Sequence, residues 1–476
     1  MDSSMGCVMC MMDAKRLVLS AVVLWAGIAA AGEGPAYPLK VGPTGRYLVD
    51  QRGAPVFING DSPWSLAAQL SREDVDLYLR NRAALGVNSL IVTIPEGYYA
   101  DGCRDEDGPN DHYGNRPFLT RGRFTTPNPA YFEHADWVIR RAGEFGMQVL
   151  ISPMYTGYDS GKVDTDGWHK VILQDNSVAD CRWYGRWIGA RYRDFPNLIY
   201  VIGNDRDPGD LREKLDALAE GIRAKDPNHL MTYHARPGHS SADVWELGQT
   251  PWLTLNGTYT YGNVWTQSLQ DYGRTPTTPF ILFESRYENE GGDADKGTVL
   301  RVRRQAYQSV LGGSCGHHYG NGPVWHMNAA PGYPNGKAPW RPSLDDPGAR
   351  TLLPNIKKLF ESRAWYRLAP DRDRTLIVRG YDVGDGIPAA CTDDGGTAIA
   401  YLPTECTVTV ALSRVSGSEA RAWWFNPRDG GASEIGRFPT QGEKEFHSPS
   451  AEDWVLVLDD ASRNLPAPGT VRLGGD

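Results

Sequence analysis

The stretch N-L-I-Y-V-I-G-N-D-R-D-P-G-D, Asn197 to Asp210, starts as an apolar run and ends in charge. Leu198 to Ile202 are aliphatic or aromatic with no polar interruption, the pattern of a strand covered on both faces. Gly203, Asn204 and Asp205 follow at once, with Arg206 and Asp207 behind them. A core strand that delivers an amide and a carboxylate side by side at its carboxyl end is what a parallel α/β architecture needs at its functional edge.

The chain on either side decides which architecture. A hairpin is expected in R-Y-L-V-D-Q-R-G-A-P-V-F-I-N-G-D-S-P-W (residues 46–64), turning at Gln51–Gly53. From there strand and helix patterns alternate. P-V-F-I-N-G-D precedes an amphipathic helix that Ser71 caps and Gly86 stops. Further strands are expected in V-N-S-L-I-V-T-I, M-Q-V-L-I-S-P-M-Y, the opening stretch, H-L-M-T-Y-H-A, W-L-T-L-N-G-T-Y, P-F-I-L-F-E-S-R-Y-E and S-C-G-H-H-Y-G, with helical patterns between them. Eight such units over roughly 320 residues predict a (β/α)8 TIM barrel across residues 38–369. A doubly wound sheet is the rival, but no Gly-rich phosphate turn follows any strand.

Beyond residue 370 the texture changes to short alternating strands separated by Gly, Pro, Asp and Ser, which predicts a small antiparallel β-sandwich over 370–463. Residues 464–476 read as a flexible tail. At the other end, Lys15 and Arg16 precede an apolar run closed by Ala29-Ala30-Ala31, a secretory leader over 1–31 with translation alternatively starting at Met11 or Met12. The expectation is a secreted or periplasmic protein with no membrane insertion after cleavage. The formal net charge of −9 and the absence of a basic stripe argue against nucleic acid as a partner. Cys391 and Cys406 are close enough in sequence to bridge neighbouring strands, one alternative in an oxidising compartment; free thiols are the other.

A TIM barrel builds its site where the eight strands end, so the last residues of each strand are the candidates. They are Asp61 and Trp64, Tyr155, Asn204 and Asp205, His234, Tyr259, Glu284 with Arg286 and Tyr287, His317 and Tyr319, and Trp325 beyond. Asp205 and Glu284, on the fourth and seventh strands, face each other across a barrel of this size. Paired carboxylates are the tools of glycosidic bond cleavage, one protonating the leaving oxygen and the other attacking or activating water. The remaining residues are candidate substrate contacts for an oligo- or polysaccharide. No cofactor and no metal are called for. Asp207 and Asp210 read as helix-capping acids, and Glu288 and Glu290 as solvated loop residues. The acid-rich D-G-C-R-D-E-D-G-P-N-D-H (residues 101–112) reads as a loop shaping one side of the cleft, with calcium binding or plain solvation as alternatives and solvation the default.

Two other function classes are open. A metallohydrolase would gather Asp61, His234, His317 and His318 as ligands. A binding protein would use the sandwich, where the adjacent Trp423 and Trp424 must face opposite sides of a strand, the outward one a ligand platform or a cover for the barrel.

F-I-N-G-D-S-P-W, I-G-N-D-R-D-P, F-E-S-R-Y-E and V-R-R-Q-A-Y-Q-S-V-L-G-G-S-C-G-H-H-Y-G-N-G-P-V-W, in this order, resemble the motif set of the apiosidase-like glycoside hydrolases (family 140). The resemblance runs from about residue 40 to the chain's end, with A-W-W-F-N-P-R-D-G-G and D-W-V-L-V-L similar to the collagen-binding-type β-sandwich appended to such barrels. It implies a retaining pair, Asp205 as acid/base and Glu284 as nucleophile, and activity on apiose linkages of pectic rhamnogalacturonan. Asn204 stands where the family more usually has Gly, and Phe283-Glu284-Ser285 where it has Gly-Glu-Pro.

Overall fold

A computed structural model describes residues 34–96, 110–165, 167–292, 296–327 and 339–470. The leader and most of the acid-rich loop lie outside these residues. Eight strands form one parallel sheet: β1 (Ile58–Asp61), β2 (Ser89–Thr93), β3 (Gln148–Ser152), β4 (Leu198–Ile202), β5 (Met231–Tyr233), β6 (Asn256–Tyr259), β7 (Phe280–Glu284) and β8 (Gly316–Tyr319). Their order is β5-β4-β3-β2-β1-β8-β7-β6, with every ladder parallel. The ring closes between β5 and β6 through the Met231 carbonyl, which accepts from the N–H groups of Thr254 (3.0 Å) and Leu255 (3.2 Å). This is the expected TIM barrel.

Each strand is followed by a helix: α1 (Arg72–Ala84), α2 (Pro129–Glu144), α3 (Val178–Tyr192), α4 (Arg212–Arg223), α5 (Ser241–Val244), α6 (Val264–Tyr272), α7 (Val299–Leu311) and α8 (Pro347–Glu361). Ser71 caps α1 by accepting from the Asp74 N–H, and Ser177 with Asp180 forms a reciprocal capping box on α3. Glycines let α3 and α4 meet backbone to backbone: a Cβ on Gly185 would lie 2.1 Å from the Leu218 carbonyl oxygen. The capping role expected of Asp207 and Asp210 is not found. The cap position of α4 is Leu211, without a side-chain cap, and Asp207 pairs with Arg236 (3.1 Å) and His239 (2.9 Å).

The sandwich has a six-stranded antiparallel sheet, in the order 368–370, 389–392, 397–402, 454–460, 419–425 and 432–439, and a three-stranded one of 377–379, 407–411 and 443–447. Strand alternation divides the larger sheet's side chains. Ile399, Tyr401, Trp423, Phe425, Val455 and Val457 belong to the barrel's hydrophobic core, whereas Ala400, Leu402, Trp424, Leu456 and Leu458 fill the space between the two sheets. Trp423 therefore covers the barrel, and neither tryptophan is an exposed platform. Cys391 and Cys406 are free thiols, one on the larger sheet and the other entering the smaller, so they are not on neighbouring strands. The expected tail is tied down as far as Thr470: the Pro466 carbonyl accepts from Arg363 and the Gly469 N–H donates to Ser362 Oγ.

Two buried bidentate ion pairs fasten sandwich to barrel. Arg303 of α7 reaches both oxygens of Asp453 (2.8 and 2.9 Å), and Arg363 both oxygens of Asp459 (2.9 and 2.7 Å). Tyr401 donates to Asp453 at 2.9 Å while its ring stacks on Tyr307 of α7, 4.7 Å between centroids. Removing one partner of such a pair strands the other as a buried charge. Asp453→Ala should lower stability by about 3–5 kcal/mol, read as a shifted denaturant midpoint; a loss below about 1 kcal/mol would show that the Arg303 site rehydrates.

Candidate active site

A cavity of about 430 Å³ opens at the carboxyl ends of the strands. β4 delivers Asp205 to it by way of a sharp turn. Gly203 has φ 68°, where a Cβ would lie 2.6 Å from the Tyr233 ring, and Asp205 itself sits in the left-handed region at φ 58°. That conformation costs a non-glycine residue about 1 kcal/mol or more and persists only where its surroundings fix it. Here they do. The Asp205 N–H donates to His234 Nδ1 (3.1 Å), the Asp205 carbonyl accepts from the Asp159 N–H (2.9 Å), and Thr156 Oγ1 bridges the Asn204 N–H and carbonyl (2.8 and 2.6 Å).

Glu284 is the last residue of β7. One oxygen of Asp205 and one of Glu284 lie within 4.8 Å of each other. Tyr155 donates to Asp205 Oδ2 at 3.1 Å, and Tyr261 to Glu284 Oε1 at 3.0 Å, with the Tyr259 hydroxyl 2.6 Å from that of Tyr261. His234 lies beneath both acids, its Nε2 3.5 Å from Glu284 Oε2 and its ring stacked on Tyr259. Burial pushes its imidazolium pKa down to about 3, so the ring is neutral. Because Nδ1 accepts a backbone N–H, the single ring proton is on Nε2 and faces Glu284.

The same burial raises the acids. Asp205 is pushed up to about 7, first by desolvation, with the hydrogen bond from Tyr155 opposing. Glu284 is raised well above the usual range by desolvation and then by the charges of Asp205 and Glu290. Glu290 is pushed up to about 7 by desolvation, with Arg286 pulling it back. Two acids this close cannot both ionise readily, so the pair holds a shared proton near neutrality.

Nine of the expected residues line this cavity: Trp64, Tyr155, Asn204, Asp205, Tyr259, Glu284, Arg286, Tyr287 and Trp325, with His234 below. Asp61, His317 and Tyr319 do not, which corrects their placement as substrate contacts. In the register of β1 and β8, Asn59 pairs with His317 and Asp61 with Tyr319, and all four point outward to the helices. Asp61 accepts from Tyr78 (2.6 Å) and Arg82 (2.5 Å) of α1, His317 Nε2 is 3.1 Å from Asn59 Oδ1, and Tyr319 donates to Glu288. The inward residue is His318, 3.0 Å from Ser89 Oγ. The four proposed metal ligands therefore do not converge.

Glu288 and Glu290 are not solvated loop acids. Glu288 is buried and also accepts from the Gly348 N–H (2.9 Å), while Glu290 lines the cavity. Tyr261, Tyr158, Glu96 and Thr93 line it as well and are not found by reading strand ends. Tyr261 follows Tyr259 at alternate spacing, a signal in the sequence that was available. Asp205, His234 and Glu284 are close enough together to hold a metal ion, but the histidine nitrogen facing the acids is the protonated one, a donor rather than a ligand.

A TIM barrel whose fourth and seventh strands converge two carboxylates in a sugar-sized cavity defines a glycoside hydrolase, and this protein is one. Residues 43–367 match the family model described as "Apiosidase-like, catalytic domain", and the chain belongs to that family. Residues 370–459 match "Putative collagen-binding domain of a collagenase". A solved structure titled "Glycoside hydrolase" is 26% identical, covering 90% of this chain and 97% of its own, with a TM-score of 0.78. A glycoside hydrolase family 5 structure from Bacteroides vulgatus ATCC 8482 is also 26% identical over 90% of this chain and 95% of its own, with a TM-score of 0.79. A search of the curated proteins found no match. No helix among the described residues is long and apolar enough to cross a membrane.

The raised acids fix a sign for stability. An acid whose folded pKa is about 7 against 3.8 keeps its proton in the folded state after the unfolded chain has lost it. Stability therefore falls as pH rises from about 4 to 7 and stays low above. Asp205→Asn removes the ionisable group and should raise Tm at pH 8, by about 1–3 kcal/mol of stability, with the gain vanishing near pH 4. Thermal melts across that range check it; a gain independent of pH would mean the Asp205 carboxylate is not desolvated.

Proposed function

We propose that this enzyme cleaves glycosidic bonds of a plant or microbial polysaccharide with net retention, Asp205 acting as acid/base and Glu284 as nucleophile. The observation that carries the reading is the spacing of the pair, whose nearest oxygens are within 4.8 Å. Retaining enzymes hold their carboxyl groups about 5–5.5 Å apart, and inverting ones leave roughly 6.5–9.5 Å for a water molecule. Protonated Asp205 gives its proton to the leaving oxygen as Glu284 attacks the anomeric carbon. The leaving alcohol departs, and the Asp205 carboxylate then takes a proton from the water that hydrolyses the glycosyl–Glu284 ester.

The surroundings divide the two roles. Glu284 accepts from the Tyr261 hydroxyl, and the Nε2–H of His234 lies 3.5 Å from its other oxygen; both oppose the desolvation that raises Glu284. Asp205 accepts from Tyr155 through Oδ2, and its Oδ1 is buried without a hydrogen-bond partner, which favours its protonated form. Apiose linkages of pectic rhamnogalacturonan are the substrate that family membership suggests. Asn204 and Ser285, where the chain departs from the family's usual motifs, flank the two acids and are the residues through which its specificity would differ. The leader supports export, to the periplasm or beyond.

Asp205→Asn and Glu284→Gln should each reduce kcat by roughly 10²–10⁴-fold on pectic oligosaccharides without loss of folding. Activity should fall as pH rises past about 7, where Asp205 loses the proton it must donate. Proton NMR of the first-formed sugar should show the substrate's own anomeric configuration. Inversion, or full activity in either folded variant, would overturn the assignment.

A further inference from the structure

The two sides of the cavity differ in chemistry. The Glu284 side carries Glu290 and Arg286, whose guanidinium lies 3.9 Å over the Tyr261 ring. On the Asp205 side, residues 157–165 fold back after β3 as a short hairpin and contribute Tyr158, Val163 and Thr165 to the lining. The Tyr158 N–H donates to Thr165 Oγ1 (2.9 Å), the Thr165 N–H to the Tyr158 carbonyl (2.8 Å), and the Ser160 N–H to the Val163 carbonyl (3.0 Å). The hairpin is fastened to the strand end that carries the acid. The Asp159 N–H donates to the Asp205 carbonyl (2.9 Å), and Arg206 donates to the Thr165 carbonyl (3.0 Å) and pairs with Asp164.

The hairpin's acids are engaged away from the cavity. Asp164 is taken by Arg206, and Asp159 Oδ1 accepts from the Gly161 N–H (2.7 Å). What the hairpin gives to the lining is a phenol, a hydroxyl and an isopropyl group. Val163 is 56% exposed, although it is aliphatic. A single exposed valine means little on an open surface. This one lines the cavity, together with the half-buried Tyr158. Burial raises the Tyr158 hydroxyl, and so do the charges of Asp205 and Glu284, in keeping with a place close to the pair. Apolar surface left wet at a binding cavity is surface that a ligand gains by covering.

We propose that this hairpin forms the leaving-group site, that it takes an apolar ring face of the leaving unit, and that Val163 is a specificity-determining residue there. The proposal rests on reading Asp205 as the acid/base. A proton passed from Asp205 to the glycosidic oxygen puts the departing unit on the Asp205 side, while Glu284 attacks from the opposite face of the glycosyl ring. The departing unit therefore lies along the wall that Tyr158 and Val163 make. A ring face laid on that wall removes apolar surface from water on both partners. The C–H face of a saturated ring and the face of an aryl group both supply this chemistry.

The test holds the glycosyl unit constant and varies only the leaving unit. The probes are the methyl, cyclohexylmethyl and benzyl glycosides of apiose, arabinose, rhamnose and galactose. Dissociation constants are measured by calorimetry on the full-length protein carrying Glu284→Gln, or Asp205→Asn if that variant does not fold, so that the probes stay intact. For at least one sugar a ring-bearing glycoside should bind about tenfold or more tightly than its methyl partner. A lead for cyclohexylmethyl identifies the saturated ring face, and a lead for benzyl the aryl one. Val163→Ser should narrow the ratio several-fold and leave the methyl glycoside's affinity as it was. Position 163 is exposed, so this substitution does not threaten folding. Leu77→Ser, at a 43% exposed position of α1, should leave the ratio unchanged. Equal affinities within every set overturn the proposal, and so does a panel in which nothing binds. A ratio that Val163→Ser leaves intact, or that Leu77→Ser narrows as much, removes Val163 from the role. Failure here is separable from failure of the catalytic assignment. Activity that is lost in Asp205→Asn, with no preference for a ring, keeps the acid/base and loses the hairpin site. A ring preference set by Val163 in an enzyme whose activity survives Asp205→Asn does the reverse.

Discussion

Two carboxylates held within 4.8 Å of each other, away from bulk water, repel, and much of the barrel mouth exists to keep them there. The repulsion and the desolvation both raise their affinity for protons, which gives a pair that shares one near neutrality. Holding that arrangement needs donors aimed at the anions and a backbone that cannot relax. Tyr155 and Tyr261 supply the donors. The left-handed backbone of Asp205 is fixed by its hydrogen bond to His234, and that bond in turn fixes which histidine nitrogen carries the proton. One contact therefore sets the position of Asp205 and which nitrogen of His234 presents its proton toward Glu284.

A second charge network lies on the helix side of the sheet, outside the cavity. Arg82 and Asp61 are both fully buried, their pair completed by Tyr78 and by the Leu344 carbonyl, which accepts from Arg82 at 2.7 Å. Glu288, Tyr319 and the Gly348 N–H form a similar group beside it. Asp61 and Tyr319 end their strands, as Glu284 does, but their side chains lie on the helix side of the sheet. They tie β1 and β8 to α1 and α8, and so hold the rim on which Trp64 and Tyr287 meet, 2.8 Å from indole nitrogen to hydroxyl.

That two-sidedness explains what could and could not be read in the sequence. The barrel was legible because eight apolar runs alternate with amphipathic helices, and Asp205 and Glu284 because each is the first acid after such a run. The facing of Asp61, His317 and Tyr319 was not. A parallel strand covered on both faces carries no polar–apolar alternation to show which side chains point inward. Asn59 and Asp61 find their partners on helices, Leu353 and Arg82, while His317 pairs with Asn59 and Tyr319 with Glu288 of a loop. Glu290 was hidden for another reason. It follows a strand by several residues, and only the folding of its loop over the cavity makes it an active-site acid rather than a solvated one.

The sandwich belongs to this constraint as well. One face of its larger sheet is spent on the barrel, and Asp453 grips Arg303 of α7. Two residues along that helix, Gln305 clamps the main chain of Arg286, which is itself two residues beyond Glu284 and lies over the ring of Tyr261. Tyr261 donates to Glu284. A continuous set of packed and hydrogen-bonded groups thus runs from the sandwich to Glu284. A domain fastened in this way is part of the scaffold that keeps Glu284 in reach of Asp205, whatever else its outer surface does.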